Sequence, residues 1–378
     1  MTNSLRSSFA RCRRPVIKIG SAVLAGAGGK AGPPTLDRQK FAGLCDDLAA
    51  IARGRTPVVV SSGAVALGVE RLQFRQRPQE MALKQAAAAA GQSRLMRLYD
   101  DELERRGLQC AQVLLTHEDI ADRGRYLNAR RALGELLARN VVPVINENDT
   151  VSVEEIKFGD NDALAAMVVD LVEADLLVIL TDAAGVCGTD PRKDPAAQRI
   201  SHLERITPEV EALAGGESEI GTGGMVTKLR AARRASEAGV PCAIVPGEPG
   251  VLQQLLRGED VGTVVAPQGE RQRLRKRWML DLKARGQLVV DPGARAALIE
   301  RKKSLLPRGV HGVLGSFSAG DPVDIVGAEG PPFARGLSVY SAEEIRRIAG
   351  CASYEIETKL GYRLLDCVVH RDDLVVMQ

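Results

Sequence analysis

Short runs of β-branched and apolar residues recur through the first 265 positions, at 15–19, 57–61, 109–115, 141–145, 174–180 and 240–245. Amphipathic or alanine-rich stretches separate them, at 36–53, 80–106, 126–139 and 228–238. Unbroken apolar strands alternating with helices predict a mainly parallel sheet buried on both faces. The fold class is therefore α/β, a three-layer α/β/α sandwich. Right-handed crossovers place the carboxyl ends of such strands on one edge, where open α/β sheets bind ligands.

The pattern changes after residue 266. Residues 267–277 are polar and charged and read as a linker or domain boundary. Beyond them come short strand candidates at 287–290, 309–314, 322–326 and 374–377, punctuated by glycine and proline. One helix is predicted over 341–349, where Ser341 and Glu344 have the spacing of a capping box. Short strands with a helix or two point to a small β-barrel-like module. A chain of 378 residues exceeds one ordinary core. The expected division is a first domain over 1–266, a linker over 267–284 and a second domain over 285–378.

Composition narrows the class. Hydrophobic residues make up 45% and charged residues 26%, as in soluble globular proteins. No apolar run has the length needed to cross a bilayer. The start, MTNSLRSSFARCRRP, is basic but lacks the apolar core of a signal peptide, so it reads as a ragged extension of a cytoplasmic protein. Seven cysteines, odd in number and widely scattered, fit reduced thiols and argue against a structural zinc site. The net charge of +3 hides an uneven distribution, with residues 271–310 at +9 and the remainder at −6. A segment of that kind marks a linker, an RNA-facing patch or a solvated surface.

Each polar cluster of chemical interest follows a predicted strand. Lys18 lies inside the first, and a buried strand lysine is costly unless it is paired or faces a site. Gly20 beside it permits close approach of a ligand. Ser61-Ser62-Gly63 joins a strand to a helix, where hydroxyls and amide N–H groups form an anion site or merely cap the helix. Asn146-Glu147-Asn148-Asp149 and Gly159-Asp160-Asn161-Asp162 concentrate carboxylates and amides suited to a zwitterion. Taken singly, each of these residues is also a turn former. Thr181-Asp182 ends another strand. Thr222, Gly223, Gly224, Met225, Val226, Thr227 and Lys228 form a glycine-rich loop opening a helix, able to cradle phosphates or to be a plain surface loop.

Other chemistries lack their motifs. There is no GxxxxGK[ST], and Gly26-Ala27-Gly28 does not continue as GxGxxG. His370-Arg371-Asp372 imitates a protein-kinase catalytic loop but lies near the C-terminus with no DFG after it. Four histidines without a triad or metal-ligand spacing argue against hydrolase and zinc chemistry.

In this order the clusters resemble the glutamate 5-kinase family of the amino acid kinase superfamily. INEND (145–149) and GTGGMVTK (221–228) are the specific signals, while KxG and SSG alone are weak. GQSRL (91–95), LNAR (127–130), RRIAG (346–350) and HRDD (370–373) extend the likeness over nearly the whole chain. The C-terminal region resembles a PUA domain, a module best known from RNA-modifying proteins. The resemblance implies ATP-dependent phosphorylation of the glutamate side-chain carboxylate, the first step of proline biosynthesis. It implies that Lys18 and Lys228 bind phosphate, that Asp162 orients them, and that Ser62, Asp149 and Asn161 bind glutamate. By the same likeness Lys18, Thr181, Asp182 and residues 222–228 bind ATP. Mg²⁺, feedback inhibition by proline and a homo-oligomer are implied as well; no residue is singled out as a metal ligand. One departure is Gly185-Val186-Cys187, where the family often has Gly-Leu-Tyr.

The chemistry agrees independently. A carboxylate acceptor is already ionised at neutral pH, so no base is needed, only in-line positioning and charge neutralisation. Two alternatives stand beside this reading. One is another amino acid kinase, acting on acetylglutamate, aspartate or carbamate, which INENDT and the C-terminal region disfavour. The other is an RNA-binding protein acting through the C-terminal module, which few aromatic residues would support.

Overall fold

The computed structural model describes residues 2–25, 36–76, 78–151, 161–189, 194, 196–213, 224–269, 279–280 and 282–377. Two compact units emerge, residues 1–122 with 128–270 and residues 123–127 with 271–378.

In the first unit, eight strands form one sheet in the order β3-β4-β2-β1-β5-β7-β8-β6. They are β1 Pro15–Ile19, β2 Val58–Ser61, β3 Cys110–Leu115, β4 Val142–Glu147, β5 Leu176–Thr181, β6 His202–Leu203, β7 Cys242–Pro246 and β8 Thr263–Val265. Pairing is parallel from β3 through to β7, so the α/β expectation holds. Only β8 runs antiparallel to its neighbour β7. β1, β2, β4 and β5 are buried at every position, which is why they read as continuous apolar runs.

Helices of this region are α1 Thr2–Ser8, α2 Ser21–Leu24, α3 Arg38–Ala52, α4 Ala64–Arg71, α5 Met81–Glu104, α6 His117–Ala121, α7 Arg123–Ala138, α8 Asn161–Leu171, α9 Pro208–Leu213, α10 Met225–Glu237 and α11 Val251–Leu256. On one side of the sheet a core forms from Phe41, Leu44 and Leu48 of α3, Leu95, Tyr99 and Leu103 of α5, and Leu252 and Leu255 of α11. Phe41 and Tyr99 meet edge to face at 4.8 Å. The Tyr99 hydroxyl, buried at the end of α5, donates to Ser61 Oγ at 2.8 Å. α4 and α5 touch backbone to backbone: a Cβ on Gly68 would lie 1.7 Å from the Ala87 carbonyl oxygen, and one on Gly91 1.8 Å from that of Ala64.

Three expectations need correcting. The N-terminus is not a ragged extension, because α1 inserts Arg6 into the protein at 3% exposure. Its guanidinium donates to the carbonyls of Glu259, Val261, Ser201 and Gly262 and pairs with Asp260 at 2.9 Å. Phe9, next in line, joins the core. β4 does not stop at Ile145; pairing with Leu114 and Leu115 of β3 carries it on through Asn146 and Glu147. α10 begins at Met225, so Lys228 lies a turn inside the helix.

The second unit holds a five-stranded sheet in the order β10-β9-β11-β12-β13. These strands are β9 Gly286–Val290, β10 Val310–Gly315, β11 Pro322–Val326, β12 Ala334–Ser338 and β13 Val369–Val376. β12 was not legible in its sequence ARGLS, and β13 is twice the length expected. Ser341 caps the helix Ala342–Ile348 through the expected box, accepting from the Glu344 amide at 3.3 Å while the Ser341 amide donates to Glu344 Oε2 at 2.8 Å. Its own core contains Leu288, Val323, Ile325, Tyr340, Ile345 and Val369.

Candidate active site

The centre of the arrangement is one carboxylate between two lysines. Lys18 sits on β1 between β2 and β5, so its ammonium is enclosed, with the side chain 6% exposed. Asp162, in the first turn of α8, lies against it, Oδ1 to Nζ at 2.6 Å. Lys228, from α10, reaches Asp162 Oδ2 at 3.3 Å, and the Thr227 hydroxyl donates to that same oxygen at 2.7 Å. Burial alone would push the Asp162 carboxyl up. The Lys18 and Lys228 charges, with hydrogen bonds from Lys18 and Thr227, outweigh it and hold the group below the usual carboxylate value. Three residues separated by up to 210 positions in sequence thus meet at the strand carboxyl ends. Gly20 is part of the enclosure: a Cβ there would lie 3.2 Å from Lys18 Nζ.

A second group lies beside it. Asn161 Nδ2 donates to Ser62 Oγ at 2.8 Å and to Asn146 Oδ1 at 2.9 Å, with the Ser61 carbonyl at 3.4 Å. Its Oδ1 is buried and accepts no hydrogen bond from the described residues. Asp149 is 8% exposed, and its Oδ1 is likewise buried without a donor among the described residues. Burial first, and the Glu147 charge second, push the Asp149 carboxyl up to about 7. Buried acceptors without donors are costly in a finished interior and point to a ligand that brings N–H groups. A cavity of about 290 Å³ opens here, lined among others by Ala88, Gln92, Glu147, Asn148 and Asp149.

At the end of β5, Thr181 is buried and its hydroxyl lies 3.2 Å from Asp182 Oδ1. Its carbonyl accepts from the Gly247 amide at 2.7 Å. Gly224 precedes α10 with extended backbone, Met225 and Val226 form the first turn, and the Gly224 carbonyl accepts from the Thr227 hydroxyl at 2.8 Å. Thr222 and Gly223 lie outside the described residues. Cys187, at the position where the family often has tyrosine, is half-buried and forms an antiparallel bridge with Arg199. Its neighbour Val186 is buried and donates its amide to Thr263 Oγ1 at 2.8 Å.

Reading the sequence missed Gln92 and Gln112. Asn146 Nδ2 donates to Gln92 Oε1 at 2.9 Å, and Gln92 Nε2 to Gln112 Oε1 at 3.2 Å. A glutamine in an alanine-rich helix carries no signal of its own. The GQSRL motif marks the likeness without giving Gln92 a role, and its contact with Asn146 supplies one.

Among the described residues no group of three or more His, Cys, Asp or Glu is arranged to hold a metal ion, and no helix is long and apolar enough to cross a membrane. Asp162 is occupied by its cations and Thr227, which leaves it poorly placed as a metal ligand.

Residues 13–246 match the model of the amino acid kinase family, and residues 286–360 that of the PUA domain. A protein of Myxococcus xanthus named glutamate 5-kinase is 53% identical over 375 residues, covering 98% of each chain. Namesakes in Anaeromyxobacter dehalogenans and Deinococcus radiodurans are 48% and 49% identical over 379 and 367 residues, covering 99% and 96% of this chain and 98% and 100% of their own.

Proposed function

Because the chain belongs to the amino acid kinase family, alongside the glutamate 5-kinases, we propose that it moves the γ-phosphate of ATP to the side-chain carboxylate of glutamate. The product is glutamyl 5-phosphate, for proline biosynthesis. The observation that carries the reading is the grip of Asp162 on Lys18 and Lys228 at 2.6 and 3.3 Å.

Phosphoryl transfer to a carboxylate asks for positioning and for compensation of the charge spreading over the transferred group. Lys18 and Lys228 supply that charge, and Asp162 keeps both ammoniums aimed at one point. Asp149 and the Asn161 carbonyl take the ammonium of glutamate, with Ser62 at the same wall. Thr181, Asp182 and the segment 222–228 face the nucleotide, Thr222 and Gly223 included. Bound together with ATP, Mg²⁺ would supply further charge neutralisation, and no described residue is assigned to hold it. Proline, which shares the α-ammonium and α-carboxylate, is expected to compete with glutamate for the same acceptors.

The test is a panel of glutamate, acetylglutamate, aspartate and carbamate with ATP and Mg²⁺, trapping acyl phosphate with hydroxylamine. Hydroxamate from glutamate above the rest is expected. Turnover of another member of the panel in its place would overturn the reading.

A further inference from the structure

We propose that Gln92 is a positioning residue for the acceptor site: it fixes the polarity of a chain of side-chain amides that ends on the Asn161 carbonyl. The inference rests on the proposed binding of an ammonium-bearing amino acid.

A carboxamide presents an acceptor at one end and a donor at the other, so its orientation is set by its neighbours. The chain here has one direction. Gln92 Nε2 donates to Gln112 Oε1 at 3.2 Å, which turns Gln92 Oε1 toward Asn146. Asn146 Nδ2 donates to that oxygen at 2.9 Å, which turns Asn146 Oδ1 toward Asn161. Asn161 Nδ2 then donates to Asn146 Oδ1 at 2.9 Å and to Ser62 Oγ at 2.8 Å. Its two hydrogens are spent, and the carbonyl left over is the buried acceptor without a donor.

Turning Gln92 or Asn146 alone sets N–H against N–H at one end and oxygen against oxygen at the other. Turning Asn161 alone sets its carbonyl against those of Asn146 and Ser61. If Asn146 turned, its amide nitrogen would confront that of Asn161. Asn161 would turn in response, pointing its carbonyl at the Ser61 carbonyl and its N–H groups at the ligand. The ammonium of an amino acid would then meet donors. Asn146 and Asn161 are 3% and 4% exposed, so a wrong orientation would leave buried polar atoms facing like atoms. Gln92 is the acceptor that forbids the flip.

The measurement is steady-state kinetics on the full chain, comparing wild type with Gln92→Met, which keeps length and removes the acceptor, and Gln92→Glu, which keeps an acceptor for Asn146. For Gln92→Met we expect KM for glutamate to rise roughly tenfold, with kcat and KM for ATP within about twofold. Gln92→Glu should hold KM for glutamate within about threefold of wild type. Glutarate, which lacks the ammonium, serves as a competitive inhibitor whose Ki should move less than about twofold in either variant. Gln112→Ala, at the exposed end of the chain, loosens the same polarity without touching the interior and should raise KM for glutamate about threefold. An unmoved KM in Gln92→Met and Gln112→Ala would overturn the inference, as would equal loss in Gln92→Met and Gln92→Glu, or a Ki for glutarate that rises with KM. A wild type that fails on glutamate would overturn the proposed function itself and this inference with it. A glutamate-active wild type with indifferent variants overturns this inference alone.

Discussion

Asp162 touches two lysines, and under the proposed function each of them should contribute separately to the reacting centre. Lys18→Ala or Lys228→Ala should lower kcat on the order of 10²–10³ while the fold persists, the usual cost of losing a contact to developing charge. Folded variants with near-normal kcat would remove the residue from that role. Asp149 gives a prediction in pH. Its ionised form is the one that holds an ammonium, and its carboxyl titrates at about 7 in the free protein, raised by burial first and by Glu147 second. kcat/KM for glutamate should therefore climb as pH rises through about 7, and Asp149→Asn should lose that limb along with most of the affinity. A profile flat between pH 6 and pH 8 would contradict this. The effect on stability has the opposite sign. A carboxyl raised above its unfolded value favours the fold at low pH, and that contribution is lost as pH passes through about 7. Lys18, Asp149, Asn161 and Asp162 stand out in the sequence as polar residues in or beside apolar runs, and Lys228 through its glycine-rich loop, while their roles come from the family resemblance. Arg6 and Gln92 do not stand out. One is an arginine among the arginines of a basic start, whose partners are backbone carbonyls more than 190 residues away. The other is a polar residue on a helix whose neighbours are small.

Elements with one dominant signal were read well, and those set by tertiary pairing were not. β1 and β11 have the bounds their apolar runs gave. β12 contains an arginine and a glycine and becomes a strand because β11 and β13 pair with its two edges. There Arg335 finds Asp324 at 2.7 Å, so even its charged position is satisfied. The α4–α5 crossing was invisible for another reason. A glycine in a helix reads as a weak point, whereas Gly68 and Gly91 are where two backbones meet. Gly91→Ala should destabilise the protein by roughly 1–3 kcal/mol, as overpacking does, and lower the urea midpoint at unchanged m. It should also raise KM for glutamate, because Gln92 is the next residue and Ala64 follows the Ser62 turn. Unchanged stability would mean that the helices part at little cost.

At the scale of the molecule, every candidate active-site residue lies before residue 266, and the last strand of the large sheet, β8, ends at Val265. A chain ending at Ala266 is therefore expected to fold and to phosphorylate glutamate. It loses the contacts of Gln268 with the Ser236 and Glu204 carbonyls, both at 2.7 Å, worth about 1 kcal/mol each. Circular dichroism and the hydroxylamine assay test this. A folded but inactive product would show that residues beyond 266 enter the chemistry. The removed part, with the +9 segment over 271–310, should alter regulation, assembly or retention on a polyanion.

The glycine crossing also bears on how this enzyme can be remade. One wall of the cavity, Ala88, Ala89, Gln92 and Ser93, belongs to a helix that cannot slide, because its backbone already rests on α4. Two of those residues are alanines, so any substitution there other than glycine narrows the space. The facing wall, Glu147 to Thr150, lies at the end of β4 and has side chains to give up. Laboratory selection for bulkier acceptors should accumulate changes at Asn148 and Thr150 and leave the helix untouched, so that the catalyst's substrate range is written in the strand end and its rigidity in the glycines.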